Sequence, residues 1–384
     1  MKTDLKKNRL YFDYNATTPI ASPVTDAICD AVKNIWGNPS SAHGLGVRAR
    51  ETLEAARTKV AALIGAKPAG VFFTSGGTES NNTAILGVAR ALSPKARHII
   101  TSQIEHPSVM SPAIHLMEQG WDVSFVGVDG KGLVDPSDIE KVIRPDTALI
   151  SLMLANNEVG TIEPISEITR IASRHNVPVH TDAAQAVGKI PVDVSVLGVD
   201  YLTIAGHKLY APKGIGAFFV KEGAPFGQLL FGAGQEMGRR PGTEPVPLAV
   251  GLGAACEFAG QGLEDEARRQ GRLRERFYEG ILGLGRPVVR HGDPANSLPN
   301  TLSISFVGLQ GAKILEAAPG LMASTGAACH ARSVSISHVL SAMGIERDVA
   351  MGTLRLSLGR FTSEEDVDGA VSAIGEALRG IKKA

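Results

Sequence analysis

Three side chains of this 384-residue chain occupy positions where a reactive group would be useful. Asp182 closes the apolar run Val177 to Thr181. Lys208 follows the run Tyr201 to Ile204 by way of Gly206 and His207. Cys329 lies in the small-residue stretch from Ser324 to His330. A carboxylate can keep a pyridine nitrogen protonated so that the ring draws electrons, and a lysine can form a Schiff base with an aldehyde. Pyridoxal phosphate (PLP) depends most on those two contacts. Asp182 and Lys208 also have ordinary explanations: Asp182 can cap a helix from Ala183 onward and Lys208 can be solvated, with Lys213 as its nearest rival.

Other residues fit around this pair. Thr74-Ser-Gly-Gly-Thr78 follows a strand pattern and opens a helix, so the backbone at Gly77 and the Thr78 hydroxyl can meet an anion at a helix N-terminus. The segment lacks the Gly-Lys-Ser/Thr ending of a P-loop, and alone it reads equally as a capped glycine turn. Gln185 and Asn157 each follow a strand and can reach a phenolic oxygen. His106 in Ile104-Glu-His-Pro107 can stack on a ring and exchange protons, or simply start a helix. Arg355 is a charge within the apolar strand pattern Thr353 to Ser357. It requires an anion, either a structural acid or a substrate α-carboxylate. Arg332 can favour the thiolate of Cys329, and the periodless stretch 331–337 reads as a mobile loop. A zinc site of Cys329, His330 and His338 falls short in ligands. Cys29 and Cys256 lie in helical patterns and read as small buried hydrophobes.

The elements that must position these groups alternate. Strand-like runs at Val71 to Thr74, His98 to Thr101, Asp122 to Val128, Ala148 to Leu154, Val177 to Thr181, Tyr201 to Ile204 and Gly216 to Val220 are interleaved with helical patterns. That alternation predicts an α/β layer with a largely parallel sheet, whose sites form beyond the carboxyl ends of the strands. A long helical stretch, Pro247 to Leu282, breaks near Gly260 to Gly262. Strands near Pro287 to Arg290, Thr301 to Phe306 and Thr353 to Ser357 then predict an α+β unit. Its last helix, Ser363 to Ile381, opens on a capping box from Thr362 to Glu365.

Composition sets outer limits. With 39 basic and 39 acidic residues, the formal net charge is zero, which argues against a dedicated nucleic-acid surface or a polybasic membrane patch. No apolar run has the length of a membrane span and the N-terminus lacks a secretory pattern, so a cytoplasmic location is the expectation.

Taken together the chain resembles the cysteine desulfurases and selenocysteine lyases, PLP enzymes of fold type I. The matching segments run in family order: Asp13 to Pro19, Gly37 to Ser41, Phe73 to Asn82, Glu105-His106, Asn156 to Glu158, His180 to Gln185, Gly206 to Lys208, Arg240 to Thr243, Gly326 to Cys329 and Leu354 to Arg360. The resemblance implies an α/β architecture with a mostly parallel seven-stranded sheet. It implies a large PLP-binding domain over residues 15–260 and a smaller α+β domain over 261–384, joined by 1–14, that carries a catalytic cysteine loop. Lys208, Cys329 and His106 would be catalytic. Gly77, Thr78, His106, Asn157, Asp182, Gln185, His207 and Lys208 would hold the cofactor, with Thr243 reaching the neighbouring subunit's phosphate in a homodimer. Asn15, Asn38 and Arg355 would bind the substrate, L-cysteine or L-selenocysteine.

The implied path has Lys208 move the α-proton and the Cys329 thiolate take the sulfur as a persulfide, leaving alanine. A sulfur-acceptor or scaffold protein then collects the sulfur, as in iron–sulfur cluster assembly. No nucleic acid, membrane or metal is implied. Ala205 departs from the pattern, which often has serine there, so one phosphate hydrogen bond is in question. Several segments, such as Phe231 to Glu236, look closer to the selenocysteine lyase branch, and the interval after Cys329 resembles the branch with an extended cysteine loop. A PLP aminotransferase or β-lyase, and a PLP-bound docking scaffold, are the rival readings.

Overall fold

The computed structural model describes residues 10–330 and 333–381, with the backbone alone at 327–330 and 333–335. Its centre is a seven-stranded sheet: β1 (Val71–Thr74), β2 (His98–Ser102), β3 (Asp122–Val126), β4 (Thr147–Met153), β5 (Val179–Asp182), β6 (Tyr201–Ala205) and β7 (Gly216–Val220). The order across the sheet is β1-β7-β6-β5-β4-β2-β3. All pairings are parallel except those of β7, which runs antiparallel to both β1 and β6. Every residue of β1, β2, β4, β5, β6 and β7 is buried. Helices therefore cover both faces, which is why these strands read as near-continuous apolar runs and not as alternating ones.

Two connections shape the site. Helix α1 (Gly77–Leu92) follows β1 directly, and α2 (Pro107–Glu118) follows β2. Parallel pairing of β5 with β6, with Asp182 opposite Thr203, brings both carboxyl ends to one edge. Asp182 and the Gly206–Lys208 turn consequently emerge side by side, at the crevice such sheets offer to ligands.

The long helical stretch breaks where expected, into α3 (Val246–Gly260) and α4 (Leu263–Leu282), bent by 71° at the break. No single helix among the described residues is long and apolar enough to cross a membrane. Beyond them lies a four-stranded antiparallel sheet. It contains β8 (Val288–His291), β9 (Thr301–Phe306), β10 (Ser324–Thr325) and, further on, Thr353–Ser357, in the order β10, Thr353–Ser357, β9, β8. Its core joins Phe12, Phe277, Phe306, Leu356 and Ile374. Each such fully buried large side chain contributes about 1.5–3 kcal/mol. The N-terminal segment ties this sheet to the large one: Leu10–Tyr11 pairs in parallel with Leu321–Met322, Asp13 bridges to Ser357, and the chain then crosses to Asn15.

Three expectations are corrected. Within the stretch 331–337, Ser333–Ile336 is a strand, β12, paired antiparallel with β11 (Ala327–His330), where a loop was expected; Ala331 and Arg332 lie outside the described residues. The Ser337 N–H closes the base of this ladder on the Gly326 carbonyl at 2.8 Å. Cys29 is exposed, because its helix, Ser22–Asn34, buries only Val24 and Ala31; Cys256 is buried as expected. The last helix, α6 in chain order after α5 (His338–Ala342), spans Glu364–Gly380, and its capping box is Ser363 with Asp366. Thr362 is displaced from that role because its hydroxyl accepts the Gly359 N–H at 3.0 Å.

Candidate active site

A cavity of about 310 Å³ opens at the carboxyl edge of the sheet. Asp182, Gln185, His207, Lys208, Gly77, Thr78, His106, Asn157 and Arg355 all line it, so the structure gathers residues from six separate segments of sequence. Lys208 donates from Nζ to the backbone carbonyls of Asn15 at 2.6 Å and Ala16 at 2.7 Å. Burial lowers its pKa to about 8; the Arg355 charge adds to this, while Asp182 and Asp13 oppose it. A useful share of the amine is therefore free near neutral pH.

Asp182 ends β5 almost wholly buried. Its Oδ1 accepts the Ala184 N–H at 2.9 Å and its Oδ2 accepts Asn81 Nδ2 at 2.7 Å. It makes no ion pair among the described residues, although a buried carboxylate needs a cation or several donors. Asn81 Nδ2 also donates to Ser108 Oγ at 2.8 Å, and that hydroxyl lies 2.7 Å from His106 Nδ1. His106 is the N-cap of α2, taking the Ser108 N–H on the same nitrogen at 3.1 Å. The ring is open to the cleft, yet the protein around it desolvates it enough to lower its pKa. The nearby Asp182 charge opposes this and Lys208 reinforces it.

The opposite end of the cavity is the start of α1. Gly76 precedes it at φ 150°, and a Cβ on Gly77 would come within 3.2 Å of the Ala205 Cβ, so the glycine lets the turn sit flat on β6. Thr78 is exposed in the first turn of α1. His207 Nδ1 lies 3.2 Å from Thr17 Oγ1, and burial, then the Lys208 and Lys213 charges, lower its pKa to about 4. It is thus a neutral hydrogen-bonding ring at ordinary pH. Ala205 lines the floor and supplies no hydroxyl.

Arg355 does find a structural acid. Its Nη2 meets Asp13 Oδ1 at 2.7 Å and Ser324 Oγ at 2.9 Å, and its Nη1 donates to the Asn157 carbonyl at 3.2 Å. Asn157 thus touches the arginine through its backbone. Asn15 lies at the cavity wall, but its carboxamide is fully occupied inside the protein. Its Oδ1 accepts from Lys189 and Asn300, and its Nδ2 donates to Thr301 Oγ1 and the Asn157 carbonyl. What Asn15 offers the cavity is its main-chain carbonyl. Asn38 does not line the cavity; it is exposed and its Oδ1 accepts the Ser40 N–H, an Asx turn within the Gly37 to Ser41 loop. Thr243 lies in a separate crevice with Arg240 and Ser75. The side chain of Cys329 lies outside the described residues. Its backbone pairs with Val334 in the ladder that begins two residues after β10, and Ser324 of β10 stands opposite Arg355.

Four residues that sequence reasoning did not single out help build the site. Asn81 and Ser108 connect Asp182 to His106. Lys189, buried, donates to Gln185 Oε1 at 2.7 Å and Asn15 Oδ1 at 3.0 Å, fixing the Gln185 amide so that its Nε2 meets the Asn15 carbonyl. Burial, with the Lys208 and Arg355 charges, pushes its amine well below the ordinary lysine range. Glu105 lies wholly buried beside His106 and accepts Ser102 Oγ at 2.6 Å and the Met153 N–H at 3.0 Å, all on Oε1. Burial raises its pKa to about 8. One signal was available: an acid directly before His106 in a strand-to-helix turn.

Comparison with known proteins agrees with this geometry. The family model for aminotransferase class-V matches residues 10–369. A cysteine desulfurase IscS from Dictyoglomus turgidum is 43% identical over 378 residues, covering 98% of this chain and 96% of that protein. A cysteine desulfurase from Homo sapiens is 44% identical over 377 residues, covering 97% and 82%. Among solved structures, a NifS-like protein superposes with a TM-score of 0.92 at 39% identity, over 97% of this chain and 100% of that one.

Proposed function

The chain belongs to the aminotransferase class-V family, and from that premise we propose that it is a PLP-dependent cysteine desulfurase, converting L-cysteine to L-alanine and handing on the sulfur. One observation carries the reading most: Asp182 and Lys208 leave adjacent parallel strands into one cavity that Arg355 also lines. The residues present fit the cofactor. A buried carboxylate without an ion pair among the described residues suits a pyridinium, and a glycine-opened helix start suits a phosphate. When bound, PLP supplies an electron sink at the substrate's α-carbon.

The chain's own residues would then divide the work. Gly77, Thr78 and His207 would hold the phosphate, Asp182 the ring nitrogen, and Gln185 and Asn157 the phenolic side. Lys208, its amine pKa lowered by burial to about 8, would hold the cofactor and accept and return a proton at Nζ. Arg355, already oriented by Asp13, would grip the α-carboxylate. Cys329 would take the sulfur as a persulfide and pass it to an acceptor protein. The relatives named above are called cysteine desulfurases, so selenocysteine is the less favoured substrate. A homodimer belongs to the same proposal, with Asn38 and Thr243 serving the partner's cleft. The exposed Trp36, Phe231 and Met237 support it as apolar surface for a second copy. The division at residue 260 into two domains and a reducing, cytoplasmic setting are further parts of the reading.

Replacing Cys329 by Ser tests it. The variant should keep its cofactor absorbance and release no alanine from cysteine. Full turnover would refute the nucleophile, and pyruvate in place of alanine from the parent protein would point to a β-lyase.

A further inference from the structure

The bonds between Asp182 and His106 have a forced direction. As a carboxylate, Asp182 can only accept, so the Asn81 amide must turn its NH2 toward Oδ2. The second hydrogen of that NH2 goes to Ser108 Oγ. Its carbonyl, Asn81 Oδ1, is buried with no partner, which shows that no competing donor fixes the amide the other way. With an oxygen lone pair taken by Asn81, the Ser108 hydroxyl hydrogen is available for its other neighbour, His106 Nδ1, 2.7 Å away. A backbone N–H can never accept, and the Ser108 N–H also points to Nδ1, at 3.1 Å. Two donors therefore converge on a single ring nitrogen.

We infer that Asn81 and Ser108 are positioning residues that lock neutral His106 as the Nε2–H tautomer, making it a hydrogen-bond donor to the cavity and leaving proton abstraction to Lys208. The inference extends the desulfurase reading and rests on it for what fills the cavity, though not for the bond directions. Nδ1 has no free lone pair and Nε2 already carries its hydrogen, so neither nitrogen is ready to take a proton. Nothing among the described residues bonds Nε2, so its N–H is available to the cavity occupant. The lowered His106 pKa agrees with this, since burial and Lys208 both disfavour a second proton. A histidine in a fixed tautomer can still stabilise negative charge that develops near the ring. Lys208 is then the group in the cavity whose free amine can receive the α-proton.

The test is nuclear magnetic resonance of the cofactor-loaded protein, with its histidine rings labelled with nitrogen-15. His106 is identified as the signal lost in His106→Gln. In the parent protein the neutral ring should show hydrogen on Nε2. Ser108→Ala removes one of the two donors, and the Nδ1–H form should gain by about fivefold, the weight of one ordinary hydrogen bond. Ser108→Thr, which keeps the hydroxyl, should restore the parent ratio. A parent ring with hydrogen on Nδ1, or an unchanged ratio in Ser108→Ala, would overturn the inference. Alanine release, measured separately, decides the desulfurase reading, so the two can fail independently.

Discussion

Glu105 allows a prediction whose size follows from its surroundings. The side chain is fully buried, one oxygen takes two hydrogen bonds, and the other, Oε2, has none. Burial lifts its pKa from the ordinary 4.5 to about 8, against the pull of the Ser102 and Met153 donors. Between those values the folded protein holds a proton that the unfolded chain has lost. Stability is then fully present below about pH 4.5 and falls as pH rises toward about 8, opposite to a salt-bridged acid. At about 1.4 kcal/mol per pH unit, the loss from about pH 5.5 to about pH 8 is on the order of 3 kcal/mol.

In Glu105→Gln the carbonyl oxygen can keep both bonds, but the NH2 carries two hydrogens without an acceptor where the protonated carboxyl carries one, and that extra unpaired donor costs about 1–3 kcal/mol. The variant should therefore be less stable at low pH and recover most of the deficit, or overtake the parent, at about pH 8. Urea unfolding of both cofactor-loaded proteins across this range measures the difference. Glu163, also raised to about 8, is present in both proteins and cancels. Parallel pH profiles for parent and variant would show that Glu105 holds no proton in the folded state.

Lys189→Met should weaken PLP binding by about 5- to 30-fold, because the Gln185 amide loses the donor that orients it, a loss of about 1–2 kcal/mol. Absorbance titration of cofactor into the stripped protein reads this, and unchanged affinity would mean that Gln185 needs no such support. Glu236→Gln removes the charge opposite Arg57, a pair at 2.6 Å whose side chains are 2% and 3% exposed. The expected cost is about 3 kcal/mol, the low end for breaking a buried pair, because Glu54 remains beside the guanidinium. A loss below about 1 kcal/mol in chemical unfolding would refute that estimate. The same change should loosen the segment leading to Arg240 and Thr243, since Glu236 sits at φ 50° and also accepts the Phe73 N–H.

Much of the secondary structure was readable because its causes are local. Val71–Thr74, Gly216–Val220, Thr301–Phe306 and Thr353–Ser357 have the bounds expected from apolar runs between breakers. Where local signals were degenerate, a distant contact chose between them. Thr362 and Ser363 each precede an acid by three residues, and the Gly359 N–H decided which would cap the helix. Cys29 misled because a helical pattern does not reveal which face finds a neighbour.

Asp182, Lys208 and Arg355 stood out in the sequence because a charge at the end of, or inside, an apolar strand breaks the local rule and demands a partner. The order of residues was thus enough for the strands of the large sheet, the candidate chemistry and the family. Tertiary structure alone decided the reversed placement of β7, the Asp13 partner of Arg355, and the roles of Asn81, Ser108, Lys189 and Glu105. The physical reason is range. Propensity and burial pattern act over a few residues, whereas a hydrogen bond between side chains 27 or 101 positions apart exists only once strand order and register bring them together.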